Sequence, residues 1–342
     1  MCESALVSRP KRFGVLGVVA LALVGLSLMR VRTLPATPVP PRVEAQDFAE
    51  YSSAPLDKPL GLLFMHHAVG ANLLADPGVG DGQHREGGGA RRLLQENGYL
   101  VHSATFGSTY GAHNFIFDWA PKFANHMNEL LHIEEQDRML KEPNRNRVVM
   151  FKSCFDNSRF VGKGDEPGVP SGPELTLANA KAAFRVLPSV FGLYPDTLFV
   201  FVTTPPLALP KPERLARVAG KWLLGRPSAD QEYHAAALLA REFHDWIVSP
   251  DGWLRAVEAK NIVVFDLYDI LTRRSTSVFL EYPTGDGTDS HPSREANQRV
   301  AKLLVPFLNR AVRRAQLVDL PRETASPAPG KGGLVDMTGP IP

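Results

Sequence analysis

The chain has 342 residues, of which 44% are hydrophobic and 22% charged, a balance that supports a buried core and excludes wholesale disorder. At about 150 residues per domain, this length fits one large domain with tails, or two domains at most. A net charge of +2 gives no overall basic footprint for nucleic acid, and two cysteines, Cys2 and Cys154, parted by an apolar segment, exclude a disulfide framework.

Residues 1–34 read as an export signal or membrane anchor. Arg9, Lys11 and Arg12 precede a run from Phe13 to Met29 that carries no charge. The run falls between a signal core and the roughly 20 apolar residues of a full span. Arg30 and Arg32 follow it in place of a small-x-small cleavage site, which favours an uncleaved anchor, with Val43-Glu44-Ala45 as the late-cleavage alternative. Residues 35–47, with Pro35, Pro38, Pro40 and Pro41, read as a semi-rigid linker. The body, 48–318, is then expected outside the cytoplasm, periplasmic or extracellular, tethered through 13–29 or secreted. Residues 319–342, with five prolines and four glycines, read as a disordered tail.

Within the body five apolar runs are rich in β-branched or aromatic residues: Leu60 to Met65, Tyr99 to Phe106, Arg147 to Phe151, Thr197 to Thr203 and Asn261 to Leu267. Such continuous strands belong to a sheet covered on both faces. Helical patterns alternate with them at Gly89 to Asn97, Lys122 to Leu140, Leu175 to Leu187 and Asp230 to Val248. A final helix from near Pro292 carries Ala296, Val300, Leu304, Leu308 and Ala311 on one stripe. The alternation predicts right-handed βαβ units: an α/β protein of three layers, α/β/α, around a five-stranded, mostly parallel, flavodoxin-like sheet. Ligands of such sheets bind beyond the carboxyl ends of the strands, so the residues just after each strand are the candidates for chemistry.

After the fifth strand, Asp289-Ser290-His291-Pro292 offers an imidazole with a carboxylate two residues before it, the pair a general base needs; Pro292 suits the first turn of the last helix. Three residues alone fit a helix cap and a turn better, and position after the fifth strand is what reverses the preference towards the base. After the third strand, Asn157 and Ser158 offer an amide and loop N–H groups to a developing oxyanion, and after the second Gly107 or Gly111 offers a backbone amide.

This order resembles the SGNH, or GDSL-like, hydrolase superfamily. Leu62-Leu63-Phe64-Met65-His66-His67-Ala68-Val69-Gly70 looks like a variant first block in which His-His-Ser replaces Gly-Asp-Ser. Lys152-Ser153-Cys154-Phe155-Asp156-Asn157-Ser158 looks like the third block, and Asp289 with His291 like the fifth. The resemblance spans Leu60 to Leu308 and implies His291 as general base, Asp289 as its orienter, and Asn157 with Gly107 as oxyanion donors. It implies ester hydrolysis or acyl transfer without a cofactor, on an acylated carbohydrate or another small ester.

Two departures qualify it. Ala68 stands where the family has its nucleophilic Ser, and the Asp–His spacing is one residue shorter than usual, which leaves Asp286 as a rival orienter. A substitute nucleophile would come from Cys154, Ser153, Ser103, Ser108 or a water activated by His291; the alternative is a catalytically inactive glycan-binding protein. The rival chemistry is a metal-dependent hydrolase using His67, Asp289 and His291, disfavoured because His66 and His67 point to opposite sides of an extended segment. The six glycines between Asp76 and Gly89 lack the Lys-Ser/Thr ending of a phosphate loop, and their place after the first strand suits a lid.

Overall fold

The computed structural model describes residues 46, 48–78, 87–256, 259–273 and 277–318. The anchor at 1–34, the linker apart from Gln46, the tail at 319–342 and most of the glycine-rich stretch lie outside them. No helix among the described residues is long and apolar enough to cross a membrane.

The five apolar runs form strands β1 (Leu60–Met65), β2 (Tyr99–Ala104), β5 (Val148–Phe151), β6 (Leu198–Val202) and β7 (Ile262–Phe265), all paired in parallel. Two further strands, β3 (Ile133–Glu135) and β4 (Arg138–Met139), form an antiparallel pair where the sequence predicts the last turns of a helix. The sheet therefore has seven strands rather than five, in the order β4-β3-β2-β1-β5-β6-β7. The predicted helix, α3 (Trp119–His132), stops early because β2 and its loop hold residues 135–137 at the turn of the β3–β4 hairpin. Ser103 Oγ donates to Glu135 Oε1 at 2.9 Å, the Thr105 amide to Gln136 Oε1 at 3.0 Å, and Ser108 Oγ to Asp137 Oδ1 at 2.9 Å. Such long-range bonds outweigh the few tenths of a kcal/mol per residue of helix propensity.

Because side chains alternate across a strand, the sheet feeds two cores. Leu62, Phe64, Met150, Val200 and Val263 pack on one face against α1 (Ala68–Leu74), α2 (Ala90–Glu96) and α8 (Arg294–Arg314). Leu63, Met65, Phe151, Phe201 and Val264 pack on the other against α3, α4 (Leu177–Phe191) and α6 (Ala229–Val248). Two of these helices start on caps legible in the sequence. Ser228 and Gln231 form a reciprocal capping box at α6, and Ser293 Oγ accepts from the Ala296 amide at α8. Pro292 therefore does not open the last helix. It ends a short strand, β9 (Asp289–Pro292), paired antiparallel with β8 (Pro283–Thr284). Helices α5 (Leu215–Leu223) and α7 (Leu267–Leu271) complete the described elements.

Candidate functional site

Strands β1 and β5 are neighbours, but β1 continues to β2 on one flank and β5 to β6 on the other. Chain order reverses between them, and it is beyond the carboxyl ends of the strands at such a point that ligands of open α/β sheets bind. His66, His67 and Ala68 follow β1 at this point, and Lys152 to Ser158 follow β5.

The β8–β9 hairpin brings Asp289 and His291 together. His291 Nδ1 lies 2.7 Å from Asp289 Oδ1, which also accepts from the His291 amide at 3.0 Å, and Thr284 Oγ1 donates to Asp289 Oδ2 at 2.8 Å. Partial burial alone would raise the Asp289 carboxyl, but the amide, ring and hydroxyl donors hold it below its ordinary value. Asp286, the rival, bonds Lys211 and the amide and hydroxyl of Thr288, and these hold its carboxyl down to about 2. Asp289 is thus the carboxylate that orients His291. The hairpin itself carries no distinctive spacing in the sequence beyond Gly285 and Gly287, both at positive φ.

Asn157 sits in a one-turn 3-10 helix, Phe155–Ser158, directly after β5. Its Oδ1 accepts from the Ile116 amide at 2.8 Å, which fixes the side chain, and its buried Nδ2 has no partner among the described residues. A buried donor left unpaired costs about 1–3 kcal/mol, so a native protein that keeps one has a use for it or an unseen partner. The Phe155 ring meets His291 edge-on, with centroids 5.2 Å apart, which brings the β5 loop against the hairpin. Helix α1 also packs on β9.

Ala68 is the first residue of α1 and brings no hydroxyl. His67, before it, stacks on Phe106 with centroids 3.7 Å apart and donates from Nε2 to the Gly111 carbonyl at 3.2 Å. Burial lowers its pKa to about 4. His66 is buried, donates from Nδ1 to the His67 carbonyl at 2.9 Å, and has its pKa pushed down to about 3. No three His, Cys, Asp or Glu side chains among the described residues converge as a metal site; His67 is turned to Gly111 instead.

Gly107 is exposed at φ 89°, a conformation other residues adopt at a cost, on the loop between β2 and α3. That loop is pinned by Lys122, whose Nζ donates to the Tyr110 and His113 carbonyls and to Asn114 Oδ1, while Asn114 Nδ2 donates to the His66 carbonyl at 3.3 Å. Neither Lys122 nor Asn114 carries a motif that singles it out.

The substitute nucleophiles fare unequally. Ser153 Oγ accepts from Trp119 Nε1 at 2.8 Å, while Ser103 and Ser108 are bonded to Glu135 and Asp137. Cys154 is a buried free thiol next to Phe155, and Lys152, fully buried beside it, has its pKa lowered to about 8 by burial. A separate cleft of about 530 Å³ opens at the opposite end of the strands, around Lys58, His102 and Arg147, remote from this chemistry.

No family model matches the chain, and no curated protein does. A solved crystal structure is similar over 73% of this chain and 96% of its own, at 16% identity and a TM-score of 0.35, and assigns no family.

Proposed function

We propose that this protein is an exported SGNH-type hydrolase that cleaves O-acyl esters, preferentially acetyl groups on a glycan, using water in place of the missing serine. The observation that carries this reading is the Asp289–His291 pair beside a loop whose Asn157 Nδ2 is buried and unpartnered. Asp289 occupies Nδ1, so Nε2 is the nitrogen that accepts a proton. In this reading a water takes the place that a serine hydroxyl at position 68 would fill. His291 takes a proton from that water as its oxygen attacks the ester carbonyl. Asn157 Nδ2 and the Gly107 amide donate to the resulting oxyanion. Collapse breaks the acyl C–O bond, and the imidazolium returns the proton to the departing alkoxide, so the acid and the alcohol leave with His291 neutral.

The test is hydrolysis of p-nitrophenyl acetate by wild type, His291→Ala, Cys154→Ala and Ala68→Ser at equal concentration. The expected pattern is a slow wild-type rate lost in His291→Ala, retained in Cys154→Ala and raised at least roughly 100-fold in Ala68→Ser. Loss of activity in Cys154→Ala would move the nucleophile to the thiol. No turnover in any of the four, with acetylated oligosaccharide still bound by His291→Ala, would favour the second reading, a glycan-binding protein, which the absent hydroxyl at Ala68 supports.

A further inference from the structure

Helix α5 has no buried residue. Leu215, Trp222 and Leu223 are 69%, 77% and 76% exposed, and Leu209 and Leu224, which flank the helix, are exposed as well. At 3.6 residues per turn, Leu215, Val218, Ala219, Trp222 and Leu223 share an arc of about 140°, with Arg214, Arg217 and Lys221 on the other side. An amphipathic helix on a soluble domain ordinarily turns its apolar stripe inward. Here Lys221 of the polar side is fastened to the body, while Arg214 and Arg217 stay exposed. Lys221 Nζ pairs with Glu213 at 3.2 Å and reaches Glu232 of α6 at 3.9 Å, while Glu213 Oε2 accepts from the Ala229 amide at 2.7 Å. The apolar stripe is thereby held outward.

We infer that α5 docks the protein onto an anionic lipid surface. Between Leu209 and Arg226 the chain carries five cations, Lys211, Arg214, Arg217, Lys221 and Arg226, against the single carboxylate of Glu213, whereas the whole chain has a net charge of only +2. Arg214, Arg217 and Arg226 make no ion pair among the described residues, so their charge is available to lipid phosphates. Basic side chains flanking an exposed Trp and leucines match an interface whose outer layer is anionic and whose inner layer is apolar. Docking also draws on the membrane tether expected from the sequence at 13–29. Sixteen residues separate Met29 from Gln46, a contour of at most about 60 Å, which keeps the body within reach of the bilayer. The loop before α5 is bonded to the hairpin of the proposed site, the Ala208 amide to Ser290 Oγ at 3.0 Å and Lys211 to Asp286. Docking through α5 would therefore act on the elements that carry His291.

Trp222 is 77% exposed, whereas Trp119 and Trp253 are buried and Trp246 is half-buried, so its signal is the part of the emission that Trp222→Phe removes. The full chain is mixed with phosphatidylcholine vesicles with or without 30% phosphatidylglycerol, some lipids carrying brominated acyl chains, and tryptophan emission is read against Trp222→Phe. The expected result is a blue shift and bromine quenching on anionic vesicles, absent in Trp222→Phe and weakened by salt. Arg214→Gln with Arg217→Gln should weaken α5 docking roughly 30-fold. Chain that floats with vesicles while Trp222 stays in water would overturn the proposal and leave the tether standing. A concentration-dependent shift without lipid would assign the face to a second copy of the chain and overturn it as well.

Discussion

His66 makes the protein sensitive to acid in a way that can be isolated. Burial lowers its pKa from 6.5 to about 3, the largest cause being loss of hydration, and its Nε2 has no partner among the described residues. A group whose folded pKa lies below its unfolded value stays neutral in the native protein while the unfolded chain binds a proton. Stability is therefore fully present above pH 6.5 and falls as the pH drops towards 3, by about 1.4 kcal/mol per pH unit. Between pH 7 and pH 4 the effective interval is the 2.5 units below 6.5, so His66 alone removes at most about 3 kcal/mol, a large share of the 5–15 kcal/mol of an ordinary domain. His67 acts in the same direction. The perturbation is His66→Asn, which keeps a donor for the His67 carbonyl but cannot titrate. Urea unfolding followed by circular dichroism at pH 7 and pH 4 gives the change for each protein. The variant is less stable at pH 7, having lost the ring that packs on Phe64 at a centroid distance of 4.7 Å, yet it should lose about 3 kcal/mol less than wild type on acidification. Parallel pH dependences for the two proteins would refute the reasoning.

Asp289→Asn preserves shape but removes the charge that orients the ring; ester turnover is expected to fall on the order of 10²- to 10⁴-fold with an unchanged melting temperature, measured with the same acetyl ester. Lys122→Met leaves two carbonyls and Asn114 Oδ1 without their shared donor. It should cost about 2–4 kcal/mol in urea unfolding and speed amide exchange between Tyr110 and Asn114 above all. Gly70→Ala would put a Cβ 2.4 Å from His66 Cβ, so α1 must shift and the melting temperature should drop by several degrees, whereas Gly107→Ala, with nothing within 4 Å of the added atom, should cost only the backbone strain of alanine at φ 89°, about 1–2 kcal/mol.

Five of the seven strands, β1, β2, β5, β6 and β7, were legible because each falls in a continuous apolar run, and Leu60–Met65 matches its run end to end. Both clusters after the first and third predicted strands lie at the switch point, whereas Asp289 and His291, expected at the entrance of the last helix, lie in the short strand β9. What escaped the sequence was decided by contacts remote along the chain. Residues 133–139 have a helical composition, but Ser103, Thr105 and Ser108 bond Glu135, Gln136 and Asp137 at the turn of a hairpin. Pro292 has the chemistry of a helix start, yet Ser293 is the better cap and leaves Pro292 to the hairpin. The exposed stripe of α5 has the same periodicity as the buried stripe of α8, and only the ion pairs of Lys221 distinguish them.

Catalysis and simple binding ask different things of the residues at the switch point. A binding protein gains hydrogen bonds from any polar lining and needs no base. An imidazole whose Nδ1 is held at 2.7 Å by a carboxylate is oriented for proton transfer, since the carboxylate both fixes the tautomer and stabilises the imidazolium that forms. Asn157 adds a second specialised group. Its donor is buried and unpaired beside a loop that bonds its other atom, and such a donor is most useful where negative charge develops on a substrate oxygen. Ala68 removes the covalent step but neither of these, and direct attack by water requires only a base and an oxyanion site. This combination supports the proposed hydrolysis over simple binding, with the ester itself taken from the resemblance to the SGNH hydrolases, and it makes Ala68→Ser informative: a serine that reaches an oriented base should accelerate turnover, whereas one in a site that only binds should not.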